Sequence, residues 1–229
     1  MPFQFAEGEI LLINKPFTWT SFDVVNSFRM FLKSKLGIKK IKIGHAGTLD
    51  PLATGLLILC TGKFTKKIEE FKEFDKEYTG VFTLGATTPS FDLESEVDFR
   101  FDLSTITEKM IAEAAETFVG EQMQIPPKFS AVKIKGRRAY DYARQDEEVK
   151  LAAKRVEISA FEITRIEMPE IHFRIVCSKG TYIRSLARDF GASLNNGAYL
   201  SALCRTRIGP YHLRDAWELD ALKTSLLPD

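Results

Sequence analysis

The sequence has few of the residues that build metal centres and disulfide frameworks. It contains three histidines spread along the chain and three cysteines, Cys60, Cys177 and Cys204, which form no Cys-x-x-Cys pair. An odd number of widely spaced cysteines excludes the usual disulfide scaffold, and the lack of ligand clusters argues against a structural metal. We therefore expect a chain that folds around an apolar core without such cross-links.

The sequence also lacks a membrane segment and a strong overall charge. No apolar run reaches membrane-spanning length, and residues 1–15 show no basic start followed by a long apolar stretch, so we expect a soluble, cytoplasmic protein. The net charge is only +1, so a nucleic-acid partner would need a local basic patch. With 229 residues, 45% of them hydrophobic and 28% charged, the chain can form one large globular domain or two small ones.

Strand-like and helix-like segments follow one another irregularly along the chain. Apolar or alternating patterns predict strands at residues 9–16, 56–62, 76–85, 156–167, 170–180 and 199–213. Helical periodicity predicts helices at 20–37, 64–74, 105–120 and 181–197, whereas 86–103 shows no clear element. We expect 156–167 and 170–180 to pair as a hairpin. Because strands and helices do not alternate regularly, this order favours an α+β fold around a mixed or mainly antiparallel sheet.

The segment GHAGTLDPLATG, residues 44–55, gathers turn residues around a single acid, Asp50. An isolated Asp before Pro usually initiates a turn. Here the glycines permit close backbone approach or positive φ, and the lysines of residues 39–42 lie just upstream, where a phosphate can dock. We interpret Asp50 as a nucleophile or base beside a phosphate-binding surface. His45 lacks further ligands nearby, so a hydrogen bond to substrate or phosphate is favoured over a metal.

The segment CSKGTYIRSLARD, residues 177–189, predicts the end of a strand and the start of a helix. Helix N-termini bind anions, and Arg184 lies one turn into this helix. Its guanidinium either pairs with a carboxylate from elsewhere, for which Asp50 is the obvious candidate, or makes a solvated surface ion pair of little energy. Tyr78 begins a predicted strand and on its own is typical of a core or rim residue.

Basic and aromatic residues interleave in SAVKIKGRRAYDYAR, residues 130–144. That pattern suits an RNA surface, although a plain solvated face is the alternative and the QDEE that follows supports it. Arg205 and Arg207, near the end of the chain, are expected to extend a basic stripe.

Taken together, these segments resemble the TruB family, the bacterial tRNA pseudouridine-55 synthases. The matching motifs occur in order as LLINKPFTWTS, GHAGTLDPLATGLLILCTGKFTK, KEYTGVFTLGATT, QIPPKFSAVKIKGRRAYDYAR, CSKGTYIRSLARDFG and LCRTRIGPY. The resemblance runs from about residue 9 to about residue 222, and the long loop motif makes it specific.

The resemblance implies a pseudouridine synthase fold, in which helices flank a central mixed, mainly antiparallel sheet. We expect one catalytic domain over residues 1–229 with an RNA-clasping insertion at about 122–152. Many members carry a C-terminal PUA-type RNA-binding domain; since the sequence ends at Asp229, we expect none here, so that the catalytic domain holds RNA unaided or with lower affinity. Where many members have Thr-Asp-Thr, this chain has TPSFD after Thr87, so that loop is expected to differ in shape or RNA contact.

The activity implied by the resemblance is isomerisation of a T-loop uridine of tRNA to pseudouridine, without cofactor or metal. The uracil is detached from the sugar at N1 and rejoined through C5. Asp50 would be the nucleophile, attacking either sugar or base, and Arg184 would pair with it. Tyr78 would stack on the flipped base or take the C5 proton. Ionising a phenol at neutral pH costs roughly 4 kcal/mol, so stacking is expected to be its larger role.

The remaining roles implied by the resemblance concern binding. His45 would help to hold the flipped-out base. The residues expected to line or support the pocket or to contact the RNA are Lys15, Pro16, Tyr182, Leu203, Lys133, Arg137 and Tyr140. The expected partner is the T-arm of tRNA, with no membrane, no obligatory protein partner and a monomeric enzyme.

Two other functions remain open at this point. A non-catalytic tRNA-binding or folding chaperone would use the same basic and aromatic residues, but would gain nothing from a carboxylate facing phosphate. A metal-assisted hydrolase would need more ligands than the sequence offers.

Overall fold

The computed structural model describes residues 3–130, 133–134, 137–138, 142 and 151–227, and the chain divides into two units. Unit 1 comprises Met1–Tyr78 and Leu203–Asp229, and unit 2 comprises Thr79–Ala202. The chain passes from one unit to the other within two strands, β4 (Lys76–Leu84) and β12 (Ala198–Ile208), which contribute residues to both. The expectation of a single domain remains a prediction.

The sheet of unit 1 contains parts of β4 and β12 and the strands β1 (Ile10–Lys15), β2 (Ile43–His45), β3 (Ala53–Thr61), β13 (Tyr211–His212) and β14 (Trp217–Glu218). Its hydrogen-bonded order is β14-β1-β3-β12-β4, with β2 added to β3 and β13 to β12. Strands β1 and β2 are antiparallel to β3, whereas β12 is parallel to β3. Alternate residues of β1 are buried, as expected of a strand with one face on a core.

Helices cover this sheet and give unit 1 its core. They are α1 (Ser21–Lys35), a 3₁₀ helix (Gly62–Lys67), α2 (Ile68–Glu73), a second 3₁₀ helix (Leu213–Asp215) and α5 (Leu219–Ser225). Helix α1 starts where it does because Thr20 and Asp23 form a reciprocal capping box. Its residues Phe28 and Leu32 are fully buried and belong to one apolar cluster with Leu57 of β3.

Unit 2 has the strand order β12-β4-β11-β10-β7. Its further elements are β5 (Ala86–Thr87), β6 (Phe99–Arg100), α3 (Glu108–Thr117), β7 (Gly120–Gln124), β8 (Lys133–Ile134), β9 (Arg137–Arg138), β10 (Lys154–Glu167), β11 (Glu170–Cys177) and α4 (Ile183–Ser193). Strands β10 and β11 form the predicted antiparallel hairpin.

Phenylalanine rings fill the core of unit 2. The Phe82 ring lies 4.3 Å from that of Phe173 and 5.6 Å from that of Phe190, and Phe161 lies 5.5 Å from Phe190, all between centroids. These rings come from β4, β11, α4 and β10, so α4 is fixed on the sheet by aromatic packing.

The α+β class and the mixed, mainly antiparallel sheet are confirmed. The differences lie at element ends and in loops. Strand β3 begins at Ala53, inside the segment interpreted as a turn, because it pairs with β12 there. Residues 86–103 contain the short strand pair β5–β6. No helix among the described residues has the length and apolar character needed to cross a membrane.

Candidate active site

The loop that carries Asp50 joins β2 to β3 and is anchored by α1. The hydroxyl of the buried Ser21 accepts from the Leu49 N–H at 2.9 Å and donates to the Leu49 carbonyl at 3.3 Å. A turn follows, in which the Ala53 N–H donates to the Asp50 carbonyl at 3.1 Å. Asp50 is therefore a half-buried acid on a short segment that is held immediately before and after it.

Lys15 also holds this loop, through a hydrogen bond to the residue after Asp50. It ends β1, is fully buried, and its Nζ donates to the carbonyls of Pro16 at 2.8 Å and Pro51 at 3.2 Å and to that of Trp19. Burial lowers the pKa of Lys15 to about 8, and the nearby Asp50 carboxylate opposes this shift. The ammonium thus ties the end of β1 to the residue that follows Asp50, while attracting the carboxylate itself.

Arg205 lies on β12 and is also fully buried. Its Nε donates to the Leu56 carbonyl at 2.8 Å, and a terminal nitrogen donates to the Gly47 carbonyl at 3.1 Å. The expectation that Arg205 extends an exposed basic stripe is therefore wrong, because its side chain turns into the core of unit 1. Arg207 is only part-buried, and its Nε lies 3.9 Å from a carboxylate oxygen of Glu77.

His45 is a part-buried imidazole on β2. Burial lowers its pKa; the main chain of Gly47 partly opposes this shift, and the charges of Arg205 and Lys72 add to it. Its Nδ1 is buried and has no hydrogen-bond partner within the part of the chain that the structure describes. The lowered pKa favours the neutral imidazole at pH 7.

Strand register places Lys15 and Leu203, two other candidates of unit 1, beside the start of β3. Lys15 is opposite Gly55 in β3, and Leu203 of β12 is opposite Ala53. Pro16 directly follows β1 and is part-buried. Tyr78 is buried in β4 and is the last residue of unit 1 before the chain enters unit 2.

In unit 2, Arg184 is almost completely buried, which excludes the solvated surface ion pair. Its Nε lies 3.5 Å from Asp92 Oδ2, and its terminal nitrogens donate to the carbonyls of Ser90 at 3.3 Å and Phe129 at 2.9 Å. Pairing of Arg184 with Asp50 remains a prediction. The guanidinium is nevertheless held in one orientation by three groups.

Asp92, which the sequence did not reveal, lies beside the candidate residue Arg184. It is 3% exposed, and its main-chain carbonyl accepts from the hydroxyls of Thr88 at 2.7 Å and Ser90 at 3.2 Å. The only signal in the sequence was its position in TPSFD, the segment in which the chain departs from the family pattern. A carboxylate so far in sequence from Arg184 leaves no local pattern that would reveal the pair.

The RNA-contact candidates of unit 2 are less fully described. Tyr182 precedes α4, and its main chain exchanges hydrogen bonds with the Gln124 side chain at 2.8 and 3.1 Å. Lys133 and Arg137 lie on the short antiparallel pair β8–β9, whereas Tyr140 lies outside the described residues. The expected clasp at 122–152 is thus described only in part.

Comparison with known proteins places this arrangement in a family. The family described as TruB family pseudouridylate synthase (N terminal domain) matches residues 33–183. A tRNA pseudouridine synthase B from Phocaeicola vulgatus is 55% identical over 217 residues, covering 95% of this chain and 92% of that protein. One of the same name from Flavobacterium johnsoniae is 54% identical, covering 98% and 99%.

A solved structure agrees with these relatives. A chain of a Cbf5-Nop10-Gar1 complex superimposes with a TM-score of 0.73 at 28% identity, covering 96% of this chain. The present chain spans 54% of that longer chain, or about half its length. The motifs, the fold and the sequence identity over nearly the full length of these relatives agree. The chain belongs to the TruB family of pseudouridylate synthases.

Proposed function

We propose that this chain is a tRNA pseudouridine synthase that isomerises uridine 55 in the T-loop of tRNA. The observation that carries the proposal is the Asp50 loop, held by Ser21, Lys15 and Arg205 in a chain 55% identical to a tRNA pseudouridine synthase B. A pure RNA-binding protein would have no use for a carboxylate fixed so firmly.

Asp50 is the nucleophile in this proposal. It attacks the sugar or the base, and the glycosidic bond to N1 is exchanged for one to C5. The buried Lys15 ammonium interacts favourably with the Asp50 carboxylate. Arg184 is proposed as its partner from unit 2. In support, the Arg184 guanidinium is already oriented by Asp92, Ser90 and Phe129, so little ordering would be needed when the pair forms.

The base must leave its stack before it can react, which costs about a few kcal/mol. Tyr78 is proposed to stack on the flipped uracil, since the phenol belongs to a rigid strand. His45 is proposed to hold the flipped-out conformation, and its position at the end of β2, directly before the Asp50 loop, supports this role.

A segment with only positive charges supplies the local basic patch that an RNA substrate needs. Residues 24–49 contain six basic residues and no acidic one, although the whole chain has a net charge of only +1. Its lysines, at positions 33, 35, 39, 40 and 42, are all exposed. The segment leads directly into the Asp50 loop, so phosphates bound there would guide the T-arm towards the carboxylate. We propose that the enzyme acts in the cytoplasm, as a monomer without an obligatory protein partner.

Tritium release tests the proposal. A tRNA transcript labelled with tritium at uridine C5 is incubated with wild type, Asp50→Asn and the control Asp220→Asn, which alters an exposed acid of unit 1. Wild type and the control should release tritium at equal rates. Asp50→Asn should release none, with its RNA dissociation constant within about twofold of wild type, since the lost group acts in the chemical step.

The outcomes separate the two functions. Tight RNA binding without release by wild type would favour the chaperone function. Release by Asp50→Asn would remove Asp50 from the mechanism. A stem-loop containing only the T-arm, with mapping of the modified position, tests the T-loop assignment, and light scattering tests the monomer.

A further inference from the structure

Arg205 has a place in unit 1 that its sequence context does not suggest. With Lys15 it is among the largest fully buried side chains of the described residues. It is opposite Gly55 in the parallel pair β12–β3, so its main chain lies beside the end of the Asp50 loop.

The Arg205 side chain reaches both sides of that loop. Its two hydrogen bonds go to the Gly47 carbonyl, before Asp50, and to the Leu56 carbonyl, after it. The planar guanidinium has donors in a fixed fork, so the two carbonyls are held at a set separation and orientation. Loop residues between them, including Asp50, are therefore confined at both ends by one rigid group.

The glycines of the loop fit around Arg205. A Cβ at Gly55 would lie 2.4 Å from the Arg205 carbonyl oxygen and 2.6 Å from its nitrogen, and the φ of Gly55 is +102°. Gly47 has a φ of +93°, and the nearest atom to a Cβ placed there is an Arg205 terminal nitrogen at 3.5 Å. These two glycines allow the chain to close on the arginine from either side.

The charge of Arg205 is not balanced by a close carboxylate. Across the described residues, no acid lies within 4.0 Å of its guanidinium. Asp50 is the only acidic residue between Asp23 and Glu69, and the positive field of Arg205 is felt at both Lys15 and His45, whose pKa values it lowers. Burying an arginine in this way is costly, which indicates a role beyond stability.

We propose that Arg205 is a positioning residue for Asp50, which fixes the geometry of the loop through its fork to Gly47 and Leu56. The inference rests on the proposed function for its kinetic part. A misplacement of a reacting group by about 1 Å can cost about 100-fold in rate, so losing the fork should slow the chemical step and leave RNA affinity unchanged.

The test compares Arg205→Lys, Arg205→Met and two controls, Arg214→Lys and Arg214→Met. Arg214 is an exposed arginine of unit 1, and its Nε lies 3.9 Å from Asp215 Oδ1. Single-turnover rates at saturating RNA should fall about 100-fold in both Arg205 variants, with RNA dissociation constants within about twofold. The Arg214 variants should keep at least about a third of the wild-type rate. Lysine should not rescue, because one ammonium cannot reproduce the fork.

Hydrogen exchange provides a readout that needs no activity. Amides in the peptide 46–57 should exchange at least about tenfold faster in the Arg205 variants than in wild type, whereas those of the β10–β11 hairpin should not change. If wild type released no tritium, the proposed function would fail. The exchange result would still test whether Arg205 holds the loop through Gly47 and Leu56.

Three outcomes would overturn the inference. Arg205→Lys with a rate within threefold of wild type would show that the fork is unnecessary. A dissociation constant that rises in step with the rate loss would assign Arg205 to RNA binding. Failure of both variants to fold would show that Arg205 has a purely structural role. If only Arg205→Lys folds, the rates and dissociation constants of that variant decide the test.

Discussion

Replacing Lys15 with Met should remove a pH dependence of stability that the wild type carries. The wild-type ammonium is fully buried, and its pKa falls from 10.5 to about 8. Burial is the main cause, since a charge loses its hydration in the core. Methionine has a similar length and no titratable group.

The direction and size of this change in stability with pH follow from proton linkage. Below pH 8 both the folded and the unfolded chain bind the Lys15 proton, and the full cost of burying the charge applies. Between pH 8 and pH 10.5 the unfolded chain keeps a proton that the folded chain has released, so folding becomes more favourable as the pH rises. With these two pKa values, the gain between pH 7 and pH 10 is about 2.5 kcal/mol in the free energy of unfolding.

Urea denaturation followed by tryptophan fluorescence measures this gain. Both tryptophans, Trp19 and Trp217, belong to unit 1, as Lys15 does, so the signal reports the relevant unit. In Lys15→Met three carbonyls lose their donor, which destabilises the variant equally at every pH. This constant loss cancels when the free energies of unfolding of wild type and variant are compared at pH 10 and again at pH 7, and one difference is subtracted from the other.

One result would refute this prediction. A wild-type-minus-variant difference that stays constant within about 0.5 kcal/mol from pH 7 to pH 10 would mean that the folded and unfolded chains release the Lys15 proton together. The buried ammonium would then be far better solvated by its three carbonyls than its lowered pKa implies.

Three further predictions concern the described residues. The imidazole of His45 should titrate below pH 6.5 in NMR spectra of the free protein, because burial lowers its pKa; a value at or above 6.5 would contradict this. Asp92→Ala should lower the free energy of unfolding by about 3 kcal/mol in circular-dichroism melts, since it removes the buried carboxylate that lies 3.5 Å from the Arg184 Nε; a loss under about 1 kcal/mol would contradict the pairing. Cys60 is fully buried with its pKa raised to about 11, so a thiol reagent should modify the part-buried Cys204 first; equal rates would refute it.

Local patterns predicted much of the fold. The apolar run of β1, the two strand patterns of the β10–β11 hairpin and the capped periodicity of α1 are properties of neighbouring residues, and the structure has each of these elements. The Asp50 loop was also evident, because glycine, proline and a lone acid stand together.

The residues that hold the site were harder to foresee. Arg205 and Arg207 belong to a strand that reads as basic and surface-facing, and only the burial of Arg205 and its hydrogen bonds to Gly47 and Leu56 show that its side chain turns inward. Asp92 meets Arg184 from a distant part of the chain. Both depend on strand pairing and loop closure between distant segments, which periodicity does not encode.

The division of unit 1 into two stretches of chain affects the order in which the enzyme matures during translation. Synthesis proceeds from the N terminus, so residues 44–55 emerge long before Arg205, which is separated from them by the whole of unit 2. Unit 2 is continuous in sequence, whereas β3 of unit 1 gains its parallel partner only when β12 has been synthesised. A nascent chain therefore has the proposed nucleophile on a loop that Ser21 and Lys15 can already hold, and the hydrogen bonds from Arg205 are added only when one of the last strands to be synthesised reaches its place.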